Sequence, residues 1–368
     1  MDLYAVRILR SQPLRLALTI SGVALCIVLM LFLFATYNGV AKGSVEYIQK
    51  NPADLWVLQR NAWNILRGSS LLSAEHGEII ETVSGVESAS PILLLLSAVE
   101  KDSEVATVFL TGFEPKTGVG GPPQLVDGVS VGNDDEIVLD RAFAAKFNFK
   151  IGDQVRIQDH TLKVVGFSTG TNAFVIQYAF VTLRQAQSLV GFPGLVTCYL
   201  VRIHKGTQPR SVAAAIRDRL GGVEVYEHEQ FLQNNIREMQ TGLLPFLYTV
   251  AAIGAIVLTA ILSLLLSINI LERRKDFAIL KTLGAPSGFL PRLVMEQAFL
   301  IVAAAGILAL IVFFPLTSLI EKLAPEITAQ SSAGQIAAVL AAAAAISVLS
   351  SFISMQRLRR IYPLEAFS

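Results

Sequence analysis

The chain has 368 residues, 53% of them hydrophobic and only 16% charged, with a formal net charge of +1 at pH 7 and a mean hydropathy of +0.55. So apolar a composition excludes a wholly soluble protein of this length, and the near-neutral charge removes the electrostatic basis for nucleic-acid binding. The two cysteines, Cys26 in an apolar run and Cys198 far from it, make neither a metal site nor a disulfide framework.

From the N-terminus, "MDLYAVRILRSQPLR" sets Leu3, Val6 and Leu9 at helical spacing beside Arg7 and Arg10. That pattern predicts an interfacial helix over residues 1–15, which Pro13 turns toward the membrane. A first transmembrane helix follows at 16–38, because Leu16 to Tyr37 carries no charge and a crossing needs about 20 residues. The run exceeds the ~7–15-residue core of a signal peptide and ends in no clear small-x-small site, so an uncleaved anchor is expected.

Residues 39–242 read as a folded α+β domain. "ADLWVLQR" and "ASPILLLLSAVE" have strand character, with "SAEHGEIIETV" between them as a helix whose Ser73 can cap its first turn. "CYLVRI", the helix "QPRSVAAAIRDRL" and "GVEVYE" repeat the strand–helix–strand order. Between the halves, at about 104–196, lies a strand-rich insert: "EVATVFLTGFE", "DEIVLD", "DQVRIQDHTLKVVGF" and "FVTL". "TGVGGPP", Thr117 to Pro123, is a turn; it lacks the Lys and the strand–helix context of a phosphate loop.

Three more spans follow: 243–271 without a charge, 293–320 with Glu296 near its start, and 336–356, whose "AAVLAAAAAISVLSS" suits close helix packing. Residues 272–292 form a charged helix and turn between the second and third spans, 321–335 a short loop, and 357–368 a basic tail. Lys and Arg crowd three flanks: Arg7, Arg10 and Arg15; Arg273, Arg274, Lys275, Lys281 and Arg292; and Arg357, Arg359 and Arg360. The loop at 321–335 sets Lys322 against Glu321 and Glu326. Four spans with both termini cytoplasmic place all three basic flanks inside and the large domain outside.

The chemistry that can be excluded is extensive. His76, His160, His204 and His228 are scattered without partners at metal-ligand spacing, and Glu227-His228-Glu229 is best read as an exposed strand end. G-x-x-x-x-G-K-[ST] does not occur, so the chain offers no ATP site of its own, and the outer domain gives no nucleophile a supporting context. A membrane-anchored enzyme is disfavoured for lack of a catalytic cluster. The spans contain almost no ionisable groups, which argues against a hydrophilic conduit; Glu296 can instead pair with Arg292 at the membrane edge.

The charged stretch "LERRKDFAILKTLGAPSG" carries a resemblance. Glu272, Arg273, Asp276, Leu280, Gly284 and Ala285 follow the pattern E-R-x-x-E-x-x-x-L-x-x-x-G-A, with Asp276 in place of the second Glu. Glu296 stands where that family has an acidic residue, and "RRIYPLEAF" is similar to its D-P-x-x-A-L ending, with Tyr362 replacing the Asp. With "EIVLDRAFAAKFNFKIGDQVRIQDHTLKVVGF" and the topology, the whole chain resembles the FtsX-like, MacB-like permeases of ABC transporters, the mechanotransmission type.

The resemblance implies a membrane protein of four transmembrane α-helices plus an α+β extracytoplasmic domain with an inserted β-rich subdomain, in the bacterial cytoplasmic membrane. It implies no cofactor in this chain, with ATP and Mg bound by a partner ABC ATPase in two copies. A second permease copy, as homodimer or close heterodimer, is expected, and a periplasmic adaptor is compatible with the family. Glu272, Arg273, Arg274, Lys275, Asp276, Phe277, Leu280, Lys281, Gly284 and Ala285 are the expected ATPase-coupling residues, with Arg292 and Glu296 at the membrane edge. Cargo is expected to be a lipid, lipoprotein, haem or drug; the alternative is a force-transmitting regulator of an extracytoplasmic cell-wall hydrolase.

Overall fold

The structure is a computed structural model that describes residues 13–51, 53–65, 70–101, 104–173, 176–272, 275, 279, 286, 288–323 and 331–358. The chain divides into two compact units. One comprises residues 1–38, 245–320 and 329–368, and the other residues 39–244 and 321–328.

The first unit is a bundle of four apolar helices, each long enough to cross a membrane. They are α1 (Pro13–Lys50), α6 (His228–Glu272), α7 (Phe289–Leu323) and α8 (Ala333–Leu358), of which α1 and α6 also enter the second unit. Their shared core includes residues at four-residue spacing, one helical turn, on each helix. Val23, Ile27 and Leu31 meet Leu258 and Leu262, Ile301, Ala305 and Ala309, and Val339 and Ala343. Alanines on α7 and α8 let backbones approach closely, where helix association depends on packing because lipid is as apolar as Leu. Leu18, Leu25, Ile256, Ile311 and Phe352 stay on the outside of the bundle, as lipid-facing side chains must.

The second unit is α/β. Its framework is β1 (Leu55–Gln59), α2 (His76–Glu81), β3 (Val86–Lys101), β12 (Cys198–Ile203), α5 (Pro209–Leu220) and β13 (Val223–Glu227). Strands run in the order β13-β1-β12-β3, antiparallel throughout, which is a split βαβ arrangement. The short β2 (Leu72–Ser73) pairs with β11 (Leu195–Val196) beside it. Both sheet faces are covered, which is why β1 reads as the unbroken apolar run "LWVL" rather than as an alternation. Leu55 and Val57 join Ile80, Val83, Val212 and Ile216 beneath α2 and α5. Trp56 and Leu58 join Val45, Tyr47 and Ile48 of α1 and Phe231 and Leu232 of α6 on the other face.

Residues 104–196 occupy the connection from β3 to β12. They hold β4 (Glu104–Phe113), β5 (Gln124–Gly128), β6 (Glu136–Asp140), α3 (Arg141–Lys146), β7 (Gln154–Ile157), β8 (His160–Thr169), β9 (Asn172–Ala173), β10 (Ile176–Thr182) and α4 (Leu183–Val190). The insert is continuous with the framework through β3, a strand of 16 residues. Its first half pairs with β12 and its second half with β4, so a single 11-stranded sheet results among the described residues. The β4–β10 and β6–β8 pairings are parallel.

Three local readings change. Ser73 does not cap α2: it lies in β2, its Oγ accepts from the Glu75 amide at 3.2 Å, and the α2 N-cap is Glu75 without a side-chain cap. Helices α3 and α4 were not anticipated. Each starts on the last residue of a strand, with Asp140 Oδ1 accepting from the Ala142 amide at 2.8 Å and Thr182 Oγ1 from the Gln185 amide at 3.1 Å. Capping by these residue types is standard helix chemistry, but in so short a segment the signal is drowned by the adjoining strand.

Candidate functional site

The charged stretch between α6 and α7 begins at Glu272, the last residue of α6. Its Oε2 lies 2.7 Å from Nη1 of Arg15 in the first turn of α1, an ion pair with both side chains about four-tenths exposed, at 37% and 39%. Such a pair contributes at most about 1 kcal/mol; its value is to place the start of the stretch against α1. Lys275 and Ile279 are exposed helical residues, and Pro286 is exposed near the start of α7. Arg273, Arg274, Asp276, Phe277, Leu280, Lys281, Gly284 and Ala285 lie outside the described residues, as do residues 1–12 of the expected interfacial helix 1–15 and residues 359–368 of the expected tail 357–368. On α7, Arg292 Nε meets Glu296 Oε1 at 3.1 Å across one helical turn. Beneath this edge Leu266 and Ile270 of α6 pack on Leu293, Val294 and Ala298 of α7, so the charged stretch is held at both its ends by an apolar cluster.

The other end of α1 is anchored in the α/β unit. Tyr47 and Asn51 lie one helical turn apart and grip a single residue of the "TGVGGPP" turn. Tyr47 Oη donates to the Gly120 carbonyl at 2.7 Å, and the Gly120 amide donates to Asn51 Oδ1 at 2.9 Å. Asn51 Nδ2 in turn donates to the Tyr47 carbonyl at 2.7 Å, and the Tyr47 ring stacks on Tyr178 at 4.9 Å. Gly120 has φ +81°, and a Cβ there would fall 2.2 Å from Ile92 Cδ1. Only glycine fits both the backbone and the space.

The start of α6 is anchored in the same core. Phe231 stacks on Trp56 at 4.7 Å. The fully buried Asn235 accepts from the Ile65 amide at 3.2 Å and donates to the Phe231 carbonyl at 2.8 Å. These anchors escaped the sequence reading, which ended the first span at residue 38 and began the second at 243. The signal was present in Val45 and Ile48 and in Phe231, Leu232 and Asn235, apolar and amide side chains at helical spacing beyond the uncharged runs.

Among the described residues no group of three or more His, Cys, Asp or Glu could hold a metal. Glu227 pairs with Arg210 at 3.1 Å, Trp56 Nε1 lies 3.5 Å from His228 Nδ1, and Gln233 Nε2 donates to Glu229 Oε1 at 2.9 Å, so Glu227, His228 and Glu229 are engaged in local structure. Burial pushes the Cys198 thiol up to about 12, which keeps it protonated and unreactive. Burial also raises the Asp140 carboxyl, although Thr171 Oγ1 donates to it at 2.6 Å and the Ala142 amide at 2.8 Å.

Comparison with known proteins matches both units. The profile of the MacB-like periplasmic core domain covers residues 16–219, and that of the FtsX-like permease C-terminal region covers residues 248–363. The chain belongs to the MacB/FtsX-type permeases. An uncharacterised ABC transporter permease of Mycobacterium tuberculosis H37Rv is 24% identical over 99% of this chain and 98% of its own length. One of Methanocaldococcus jannaschii is 27% identical over 59% of this permease and 57% of its own length. Among solved structures, the periplasmic region of MacB from Actinobacillus actinomycetemcomitans aligns with 50% of this permease and 94% of that chain, at 14% identity and a TM-score of 0.41. The extracellular domain of YknZ, a noncanonic ABC-type transporter from Gram-positive bacteria, aligns with 48% of this permease and 99% of that chain, at 14% identity and a TM-score of 0.37.

Proposed function

We propose that this permease is the membrane subunit of an ABC transporter whose separate ATPase, binding ATP and Mg, grips the stretch 272–292 and moves the α/β unit to export or extract an amphiphile. The observation that carries this reading is that α1 and α6 each contribute side chains to two distinct hydrophobic cores. Val23, Ile27, Leu31, Leu258 and Leu262 belong to the bundle; Val45, Tyr47, Ile48, Phe231 and Leu232 belong to the α/β unit. Each of these apolar side chains contributes about 1.5–3 kcal/mol by burial, so neither helix can be displaced without carrying its core along. Lys275 and Arg292, with Arg273, Arg274 and Lys281 close by in sequence, make this stretch basic, as the positive-inside rule asks of a cytoplasmic segment that meets the ATPase.

The work delivered is mechanical and occurs on the far side of the membrane. The spans carry almost no ionisable groups, which suits a lipid, lipoprotein, haem or hydrophobic drug taken from the bilayer or the outer surface rather than an ion or hydrophilic solute. Two permeases with two ATPases, in the cytoplasmic membrane with both termini inside, satisfy the closed two-fold symmetry that ATPase pairs impose.

The test is charge reversal in the stretch 272–292, the handle on which the ATPase would pull. Arg274→Glu with Lys275→Glu sets like charge against an acidic rim, which costs several kcal/mol at an interface. The expected result is loss of co-purifying ATPase, or of transport coupled to ATP hydrolysis, at unchanged membrane abundance. Normal ATPase binding and full transport in this variant would overturn the handle. Stimulation of ATP hydrolysis in lipid nanodiscs by lipids, haem or drugs then identifies the cargo, and stimulation only by a cell-wall hydrolase would replace export with regulation.

A further inference from the structure

The seam between α6 and α8 carries hydroxyl groups at a regular interval. Ser350 Oγ donates to the Thr259 carbonyl at 3.3 Å, and Ser354 Oγ to the Ser263 carbonyl at 3.1 Å. The sequence separation is 91 in both bonds, so the two helices run parallel here and the rungs repeat every turn. Both acceptor carbonyls belong to helical residues and already face their own i+4 amides, so each rung is an added, easily exchanged bond. One turn beyond Ser263 stands Ser267, 1% exposed, whose Oγ has no hydrogen-bond partner among the described residues. A buried hydroxyl without a partner in an apolar bundle is costly and calls for a reason.

A shift of α8 by one turn along α6, about 5.4 Å, supplies one. Ser350 then reaches the Ser263 carbonyl and Ser354 the Ser267 carbonyl, which preserves both rungs and brings the Ser354 hydroxyl to the orphaned Ser267. The buried row Ala343, Ser347 and Ser351 of α8 also repeats every four residues, so one small side chain takes the place of another as the helix advances. A shift the opposite way is disfavoured. It would direct Ser350 to the Ala255 carbonyl, which already accepts from Thr259 Oγ1 at 2.7 Å.

We propose that the α6–α8 seam is a two-register slide, in which α8 moves one helical turn along α6 between isosteric hydroxyl ladders. Packed helices switch between discrete arrangements of this kind rather than deforming continuously. The proposal rests on α6 and α8 spanning the membrane and not on any partner or cargo.

Paired cysteines in the full-length permease in membranes, without ATPase, separate the registers. The background is Cys26→Ala; the buried Cys198 is left in place. Ser263→Cys with Ser354→Cys reports the register seen here, and Ser267→Cys with Ser350→Cys the advanced one. Ser267→Cys with Ser347→Cys, too far apart in either register, sets the background. Under copper phenanthroline oxidation, the first pair is expected to cross-link fastest and the second to accumulate product well above background, each seen as a gel shift. Product from the first pair with none above background from the second would overturn the slide. So would failure of the first pair to link, since the seam would then be misplaced. Neither result bears on ATPase coupling, which the charge reversal tests separately.

Discussion

Replacing Gly120 by Ala tests whether the grip of α1 on the "TGVGGPP" turn is a tight, load-transmitting contact. Two costs add. An L-residue held at φ +81° loses about 1–2 kcal/mol against its preferred backbone. The new methyl would sit 2.2 Å from Ile92 Cδ1 and 2.7 Å from Cγ1, and Ile92 is itself only 1% exposed, so overpacking costs about 1–3 kcal/mol more. The sum is roughly 2–5 kcal/mol. Gly118, with φ +65° and nothing within 4 Å of a built Cβ, is the internal control, since Gly118→Ala carries only the backbone cost of about 1–2 kcal/mol. Urea-dependent pulse proteolysis of the full-length permease in nanodiscs, scored on cleavage within the α/β unit, reads the difference. Gly120→Ala should be the more destabilising by about 1–3 kcal/mol. Equal losses in the two variants would refute the close approach of Gly120 to Ile92 and with it the clamp.

Tyr47→Phe keeps the stacking on Tyr178 but leaves the Gly120 carbonyl without its donor, and should cost about 1–3 kcal/mol in the same assay. Phe231→Ala opens a cavity against Trp56 and should cost about 3–5 kcal/mol; a loss below 1 kcal/mol would mean that the start of α6 is not anchored in this core. For Asp140, whose carboxyl burial raises above the ordinary 3.8, the charged form is the disfavoured one. The stability it contributes is therefore fullest below pH 3.8 and declines as pH rises through the raised value. Asp140→Asn keeps an oxygen for the Ala142 amide, so it should gain on the native chain between pH 3 and pH 7 in urea titrations, and a pH-independent difference would contradict the assignment. A reporter active only outside the membrane should work after Gly206, a turn glycine with nothing within 4 Å of a built Cβ, and fail after Ala285 or at Ser368; activity at Ala285 would break the four-span topology.

Much of this molecule was legible as sequence because its signals are local. A span is a run of apolar residues, a flank is a cluster of Arg and Lys, and a helix stop is a Gly or Pro, so the bundle and the charged stretch from Glu272 to Arg292 can be read by inspection. The βαβ halves were legible for the same reason, since strand and helix periods differ within a window of ten residues. What tertiary structure decided is which distant residues share a core. No local pattern says that the first half of "ASPILLLLSAVE" pairs with β12 and its second half with β4, or that Asn235 serves the Ile65 amide 170 residues away. Nor does composition reveal that Tyr47 and Asn51 close on Gly120, or that Ser350 and Ser354 meet α6 at a constant offset. These contacts depend on chain segments brought together only when the sheet and the bundle form, and their energies come from buried area and hydrogen-bond geometry that do not exist before then. The helices α1 and α6 hold both kinds of information: their uncharged middles were written in the sequence, and the anchoring of their ends was decided by the fold.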